Sequence, residues 1–161
     1  MDGPDDFGGM ARAIIDSTLY MVLGTSDQAG QPWVTPVYFS PVAYTEFYWV
    51  SSPQAKHSHN IAQRPQVSLV IFNSQVPVGG ARAVYMSAAA GELSGSELER
   101  GLQHYNGRFT EPAEHGLRDF RLEQVQPPGR YRLYRAVASE HWVLDPQSSP
   151  DSRARVTLTA G

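Results

Sequence analysis

Short runs of β-branched and aromatic residues, each ended by a turn signal, set the first limit on how this chain can fold. "LYMVLGTS" (19–26), "QPWVTPVYF" (31–39) and "EFYWVSS" (46–52) follow one another with only "DQAG" and "SPVAYT" between them. Links of this length predict an antiparallel meander. Pro36 lies inside the second run and cannot donate to a ladder, so that strand belongs at an edge or a bulge.

The pattern continues downstream. "QVSLVIFN" (66–73) and "ARAVYMSAAAGEL" (81–93) read as strands, and "GRYRLYRAVASEHWVLDP" (129–146) alternates polar and apolar residues over one or two more. "ARVTLTA" adds an edge strand in the tail. Between them, 10–18 has helical spacing. A second helix is expected with Ser52 as N-cap and Pro53 at the first helical position, ending before Pro65. Ser94-x-x-Glu97 has the form of a capping box and opens a third helix over 94–106, and 111–122 suits a fourth. No repeat of 20–50 residues is visible. About six strands with a few short helices predict a mostly β, six-stranded antiparallel barrel. The whole of 1–161 reads as one domain, with its core at about 8–145 and a polar C-terminal tail at 146–161.

Length supports that expectation, because 161 residues bury roughly 68–70% of their unfolded surface without staples. Cysteine is absent, which removes disulfides, thiolate nucleophiles and Cys-based metal sites. The net charge is -3 and the arginines are dispersed, so a nucleic-acid partner is not expected. The N-terminus is acidic rather than leader-like, and no apolar stretch approaches the roughly 20 residues of a membrane span. A cytoplasmic, soluble protein is expected.

One residue stands out within this background. Thirteen residues are Lys or Arg, and Lys56 is the only lysine. It follows "VSSP" at the strand-to-helix junction, beside His57, Ser58 and His59. A helix N-terminus presents unpaired N–H groups and positive dipole, so an anion is stabilised there. Ser51, Ser52 and Lys56 add hydroxyls and a full charge, which together make a phosphate cradle; the same spacing also suits a capped helix whose Lys56 faces water. His57 and His59 do not share a helix face, and no third ligand lies nearby, so no metal site is expected. No G-x-S-x-G elbow, G-x-G-x-x-G loop or Walker A loop occurs. Seven aromatics crowd the first three strands: Trp33, Tyr38, Phe39, Tyr44, Phe47, Tyr48 and Trp49. Most are expected in the core, and a few flank a flat ring.

"GQPWVTPVYF", "EFYWVSSPQAKHSHNIAQRPQVSLVIFNS" and "ARAVYMSAAAGEL", taken together, resemble the pyridoxamine 5'-phosphate oxidase-like proteins, a flavin-binding split-barrel family. The resemblance implies a six-stranded split barrel that forms a homodimer, with flavin mononucleotide (FMN) in clefts at the interface. The family's phosphate segment falls on Val50, Ser51, Ser52, Lys56, His57 and Ser58. Its second-strand contacts to the flavin fall on Thr35, Pro36, Val37 and Tyr38, and the contributions of the partner subunit on Gln75 and Arg82. The chain departs from true pyridoxamine phosphate oxidases at "WVTPVYF", at Lys56-His57 and in a tail ending "SRARVTLTAG", which argues against vitamin B6 oxidation. What the resemblance implies is an FMN-dependent oxidoreductase acting on a small molecule, with no side chain assigned as catalytic. Some relatives use the deazaflavin F420 and others bind haem. An F420-dependent reductase and a non-catalytic flavin carrier or sensor are the alternatives.

Overall fold

The computed structural model describes residues 6–158. Eight strands form one antiparallel sheet: β1 (Tyr20–Ser26), β2 (Pro32–Tyr38), β3 (Ser40–Val42), β4 (Glu46–Ser51), β5 (Gln66–Phe72), β6 (Ala83–Glu92), β7 (Arg132–Leu144) and β8 (Arg153–Val156). Their order is β2-β1-β5-β6-β7-β4-β3, with β8 also paired to β7. The two edges, β2 and β3, are separated in the chain by Phe39 alone. A flat sheet cannot place its first and last strands one residue apart, so this one curls back on itself into a split barrel. Pro36 sits on edge strand β2, where a missing N–H breaks no inner ladder.

The six long strands fall where the runs of the sequence put them. The two additional strands are short: β3 has three residues, inside a segment expected to be only a turn, and β8 has four, within the polar tail. Residues 159–160 of the expected tail strand lie outside the described residues. Ala43 and Tyr44 turn the chain from β3 to β4 with φ of 52° and 57°. The Tyr44 carbonyl accepts from His141 Nε2 at 2.7 Å, and its hydroxyl donates to Asp16 at 3.0 Å, which fixes the turn from two directions.

Three helices close the barrel. The first, α1 (Phe7–Ser17), starts ahead of its expected position because Asp6 caps it, accepting from Gly9 N–H at 2.7 Å. Its Ala11 and Ile15 join the inner core of Met21, Leu23, Phe39, Phe47, Trp49 and Ile71. The second, α2 (Lys56–Gln63), begins three residues beyond Pro53. Ser52 is not its cap: the Ser52 hydroxyl accepts from Gln54 N–H at 3.1 Å, forming a tight turn before the helix. The third, α3 (Gly95–Asn106), packs Leu98, Leu102 and Tyr105 with Tyr48, Leu133 and Val125 in a second core. The capping box at its start does not form; Glu97 lies 3.5 Å from Arg135 instead. The helix expected over 111–122 is two 3-10 turns, Pro112–His115 and Leu122–Gln124. Strand β4 therefore serves both cores, Phe47 and Trp49 facing inward and Tyr48 outward toward α3.

Arg108 ties these layers together. Its guanidinium donates to the carbonyls of Phe39, Ile15 and Thr18, joining the end of α3 to α1 and to the seam between β2 and β3. No helix among the described residues is long and apolar enough to cross a membrane.

Candidate functional site

The strand-to-helix junction at the end of β4 gathers the polar residues singled out in the sequence. On β4, the inward-facing series Phe47, Trp49, Ser51 brings the Ser51 hydroxyl to the barrel mouth. The turn of residues 52–55 then lays α2 across that mouth. Ala55 occupies the N-cap and supplies no side-chain acceptor, so the first N–H groups of α2 have no capping partner. Ser58 is buried and its hydroxyl donates to Ser52 O at 2.8 Å. Further along, buried Asn60 donates to Thr25 Oγ1 at 3.0 Å and fixes α2 to β1.

His57 faces inward from α2, and its Nε2 lies 2.9 Å from Ser51 Oγ. Burial lowers its pKa below the ordinary histidine value, which favours the neutral ring. Lys56 turns the other way. Its ammonium stands 4.6 Å from the centroid of the Trp33 ring, a cation–π distance. Trp33 belongs to the inner face of β2, in register with Thr25, yet it is 43% exposed because the barrel is open there. Trp33, Lys56, Ser51 and the start of α2 thus ring one end of the split.

Other expected site residues divide into four groups. Thr35 follows Trp33 on the inner face of β2, and Val37 continues that face into the core. Pro36 is exposed on the opposite face. Tyr38 and Val50 pack against the second core, Tyr38 edge-on to Tyr105 at 5.5 Å, so their side chains turn toward α3 and away from the cradle. Gln75 and Arg82 lie on the β5–β6 hairpin, and Arg82 Nη1 is 3.6 Å from Met10 Sδ of α1. Within one chain they are not brought to α2.

Two residues escaped the sequence reading. Trp33 looked like core, and only the open edge exposes it. Arg132 sits on β7 directly opposite Ser51. It comes from a distant part of the chain, and nothing in the alternation of 129–146 distinguishes it from Arg130 or Arg135. Its guanidinium donates to the carbonyls of Gly129 and Tyr131 and lies 3.7 Å from Glu92. Of the remaining histidines, His141 is buried and bonded, whereas His59, His104 and His115 are exposed.

Residues 9–143 match the family model described as pyridoxamine 5'-phosphate oxidase. The chain belongs to the pyridoxamine 5'-phosphate oxidase-like family. Solved structures share the fold at low identity. The haem-binding protein of Mycobacterium smegmatis superposes with a TM-score of 0.70 at 16% identity, over 96% of this chain and 59% of that one. This family member thus spans less than two thirds of the mycobacterial protein. HutZ, the haem storage protein of Vibrio cholerae, gives 0.63 at 19%, covering 80% and 87%. HupZ of Group A Streptococcus gives 0.63 at 11%, covering 92% and 98%. No curated protein matches the chain by sequence.

Proposed function

We propose that this protein binds FMN at the mouth of the split barrel and acts as a flavin-dependent oxidoreductase on a small molecule. The observation that carries the reading is the start of α2, a helix N-terminus without a side-chain cap, flanked by Lys56 and the Ser51 and Ser52 hydroxyls. These donors fit a terminal phosphate. Backbone N–H groups and helix dipole favour an anion, Lys56 adds its charge, and the Ser52 hydroxyl keeps its own hydrogen while its oxygen accepts from Gln54. Trp33 and Thr35, at the open edge, offer an aromatic face and a hydroxyl to the flat remainder of the ligand. Bound FMN supplies the electron transfer, and the chain supplies binding and orientation.

The reading includes a homodimer. Among the described residues no helix covers the outer face of the sheet along β1, β2, β5 and β6, and this face presents mostly small or apolar residues. Val34 is 66% exposed and Val137 43%, on either side of a depression of about 620 Å³ floored by Gly24, Ser68 and Ala89. A second copy packed on this face brings its own Gln75 and Arg82 hairpin toward the cradle. A cytoplasmic location is part of the same proposal.

A haem-binding reading has one specific support, the haem-binding and haem-storage proteins among the structural neighbours. The absorption spectrum of the purified protein separates the two. A flavin spectrum, released by denaturation as FMN, is the expected result; a Soret band with no flavin overturns the proposal in favour of haem. Oxidation of a reduced nicotinamide donor above the free-flavin background then distinguishes a reductase from a carrier.

A further inference from the structure

His57 is the inward neighbour of the one lysine, and among the described residues its ring makes a single hydrogen bond, to Ser51. That bond can run in either direction. In its Nδ1–H tautomer the neutral ring accepts the Ser51 hydroxyl hydrogen at Nε2; a protonated ring donates to the Ser51 oxygen and frees that hydrogen for another acceptor. We propose that His57 makes the cradle selective for a terminal phosphate monoester, reversing its hydrogen bond with Ser51 and taking up one proton when the dianion enters. The inference rests on the reading of the α2 start as a phosphate site.

The charges around the ring explain both states. From α2 itself the adjacent group is Lys56, a cation. From β7 comes Arg132, opposite Ser51 in the ladder, also a cation. From β6 comes Glu92, which faces Arg132 at 3.7 Å. The described parts of β1 and β2 that meet α2 present Thr25 and Trp33, which carry no charge. Among the described residues no charge offsets the burial of this ring, and burial favours its neutral form. In the Nδ1–H tautomer of that state the Ser51 hydrogen is committed to His57.

A phosphate dianion at the α2 N-terminus supplies the missing opposite charge. It favours the protonated ring, as any anion within a few ångströms does. The proton comes from solvent, Nε2–H donates to Ser51 Oγ, and the Ser51 hydroxyl donates to a phosphate oxygen. No covalent bond forms or breaks, and the net change is one proton bound per phosphate. A phosphodiester or a carboxylate carries a single negative charge and draws the proton less strongly. His57 thereby distinguishes a monoester such as FMN from ligands that end in a diester.

Calorimetric titration of the full-length protein with FMN, in phosphate-free buffers of different ionisation enthalpy, reads the proton directly. At about pH 7.5 the ligand phosphate, with its second pKa near 6, is already a dianion. The expected result is uptake of a large fraction of a proton with FMN, none with riboflavin, and FMN affinity that falls several-fold from about pH 7 to about pH 8.5. In His57→Gln, where an amide still donates to Ser51 but cannot titrate, uptake and pH dependence disappear. Tight FMN binding by the unaltered protein with no proton exchange overturns the inference and leaves the phosphate reading standing. Failure of FMN to bind at all overturns both.

Discussion

Lys56 carries more of the proposed chemistry than any other side chain, because among the described residues no carboxylate or carbonyl engages its ammonium beside the start of α2. Its nearest defined contact is the Trp33 ring, which holds the ammonium at the open edge without neutralising it. Replacing it by alanine removes a charge-assisted hydrogen bond to phosphate, a contribution of about 1.5–3 kcal/mol. Lys56→Ala should therefore weaken FMN binding roughly ten- to hundredfold, measured by titrating apo-protein with FMN. An unchanged dissociation constant removes Lys56 from the site. At this scale the sequence was a partial guide. Lys56 could be read from its rarity and its place after "VSSP". The pairing of Ser51 with His57 could not, because it depends on where α2 begins, and that is set by the Ser52–Gln54 turn. Trp33 and Arg132 were hidden for a similar reason: one depends on which edge stays open, the other on a register between distant strands.

Among the elements, α3 shows how closely helix and sheet are fitted. Gly101 faces the second core, and a Cβ there would lie 2.8 Å from Leu93 Cδ1, 2.9 Å from Tyr48 Cε1 and 3.1 Å from Leu133 Cδ2. In a free helix, glycine to alanine gains about 1 kcal/mol. Here the methyl group must displace three packed side chains, and overpacking of this kind costs about 1–3 kcal/mol. Gly101→Ala should consequently lower stability rather than raise it, read as a reduced midpoint in urea unfolding; a raised midpoint shows that the second core yields. The glycine is legible in the sequence only as a weak helix residue. Its role appears once Tyr48 is known to face outward from β4. The capping box misled for the opposite reason, since Ser94 and Glu97 have the right spacing but Arg135 engages the carboxylate. Local signatures fail where a tertiary partner competes for the same group.

For the molecule as a whole, the proposed dimer puts a second copy on the outer face. Val34 and Val137 stand on opposite sides of one depression, so a charge on each blocks apolar packing from both ends. The double substitution Val34→Glu, Val137→Glu should convert the proposed dimer into a monomer in light scattering while leaving the far-ultraviolet circular dichroism unchanged. A protein that is monomeric before substitution, and still binds flavin, excludes the shared cleft. The barrel class and the six long strands were visible in the sequence because each rests on local alternation. The meander expected of the first three runs does not form, because β2 pairs only with β1 while the third run, β4, pairs with β3 and β7, a partner from the far end of the chain. The curl was not visible, because it follows from β2 and β3 meeting across Phe39, a relation between edges that no window of residues contains. That meeting has a mechanical result. With the Phe39 carbonyl gripped by Arg108, the seam where the two edge strands meet is clasped like a locket, and a single guanidinium holds shut the end of the barrel farthest along β2 from Trp33.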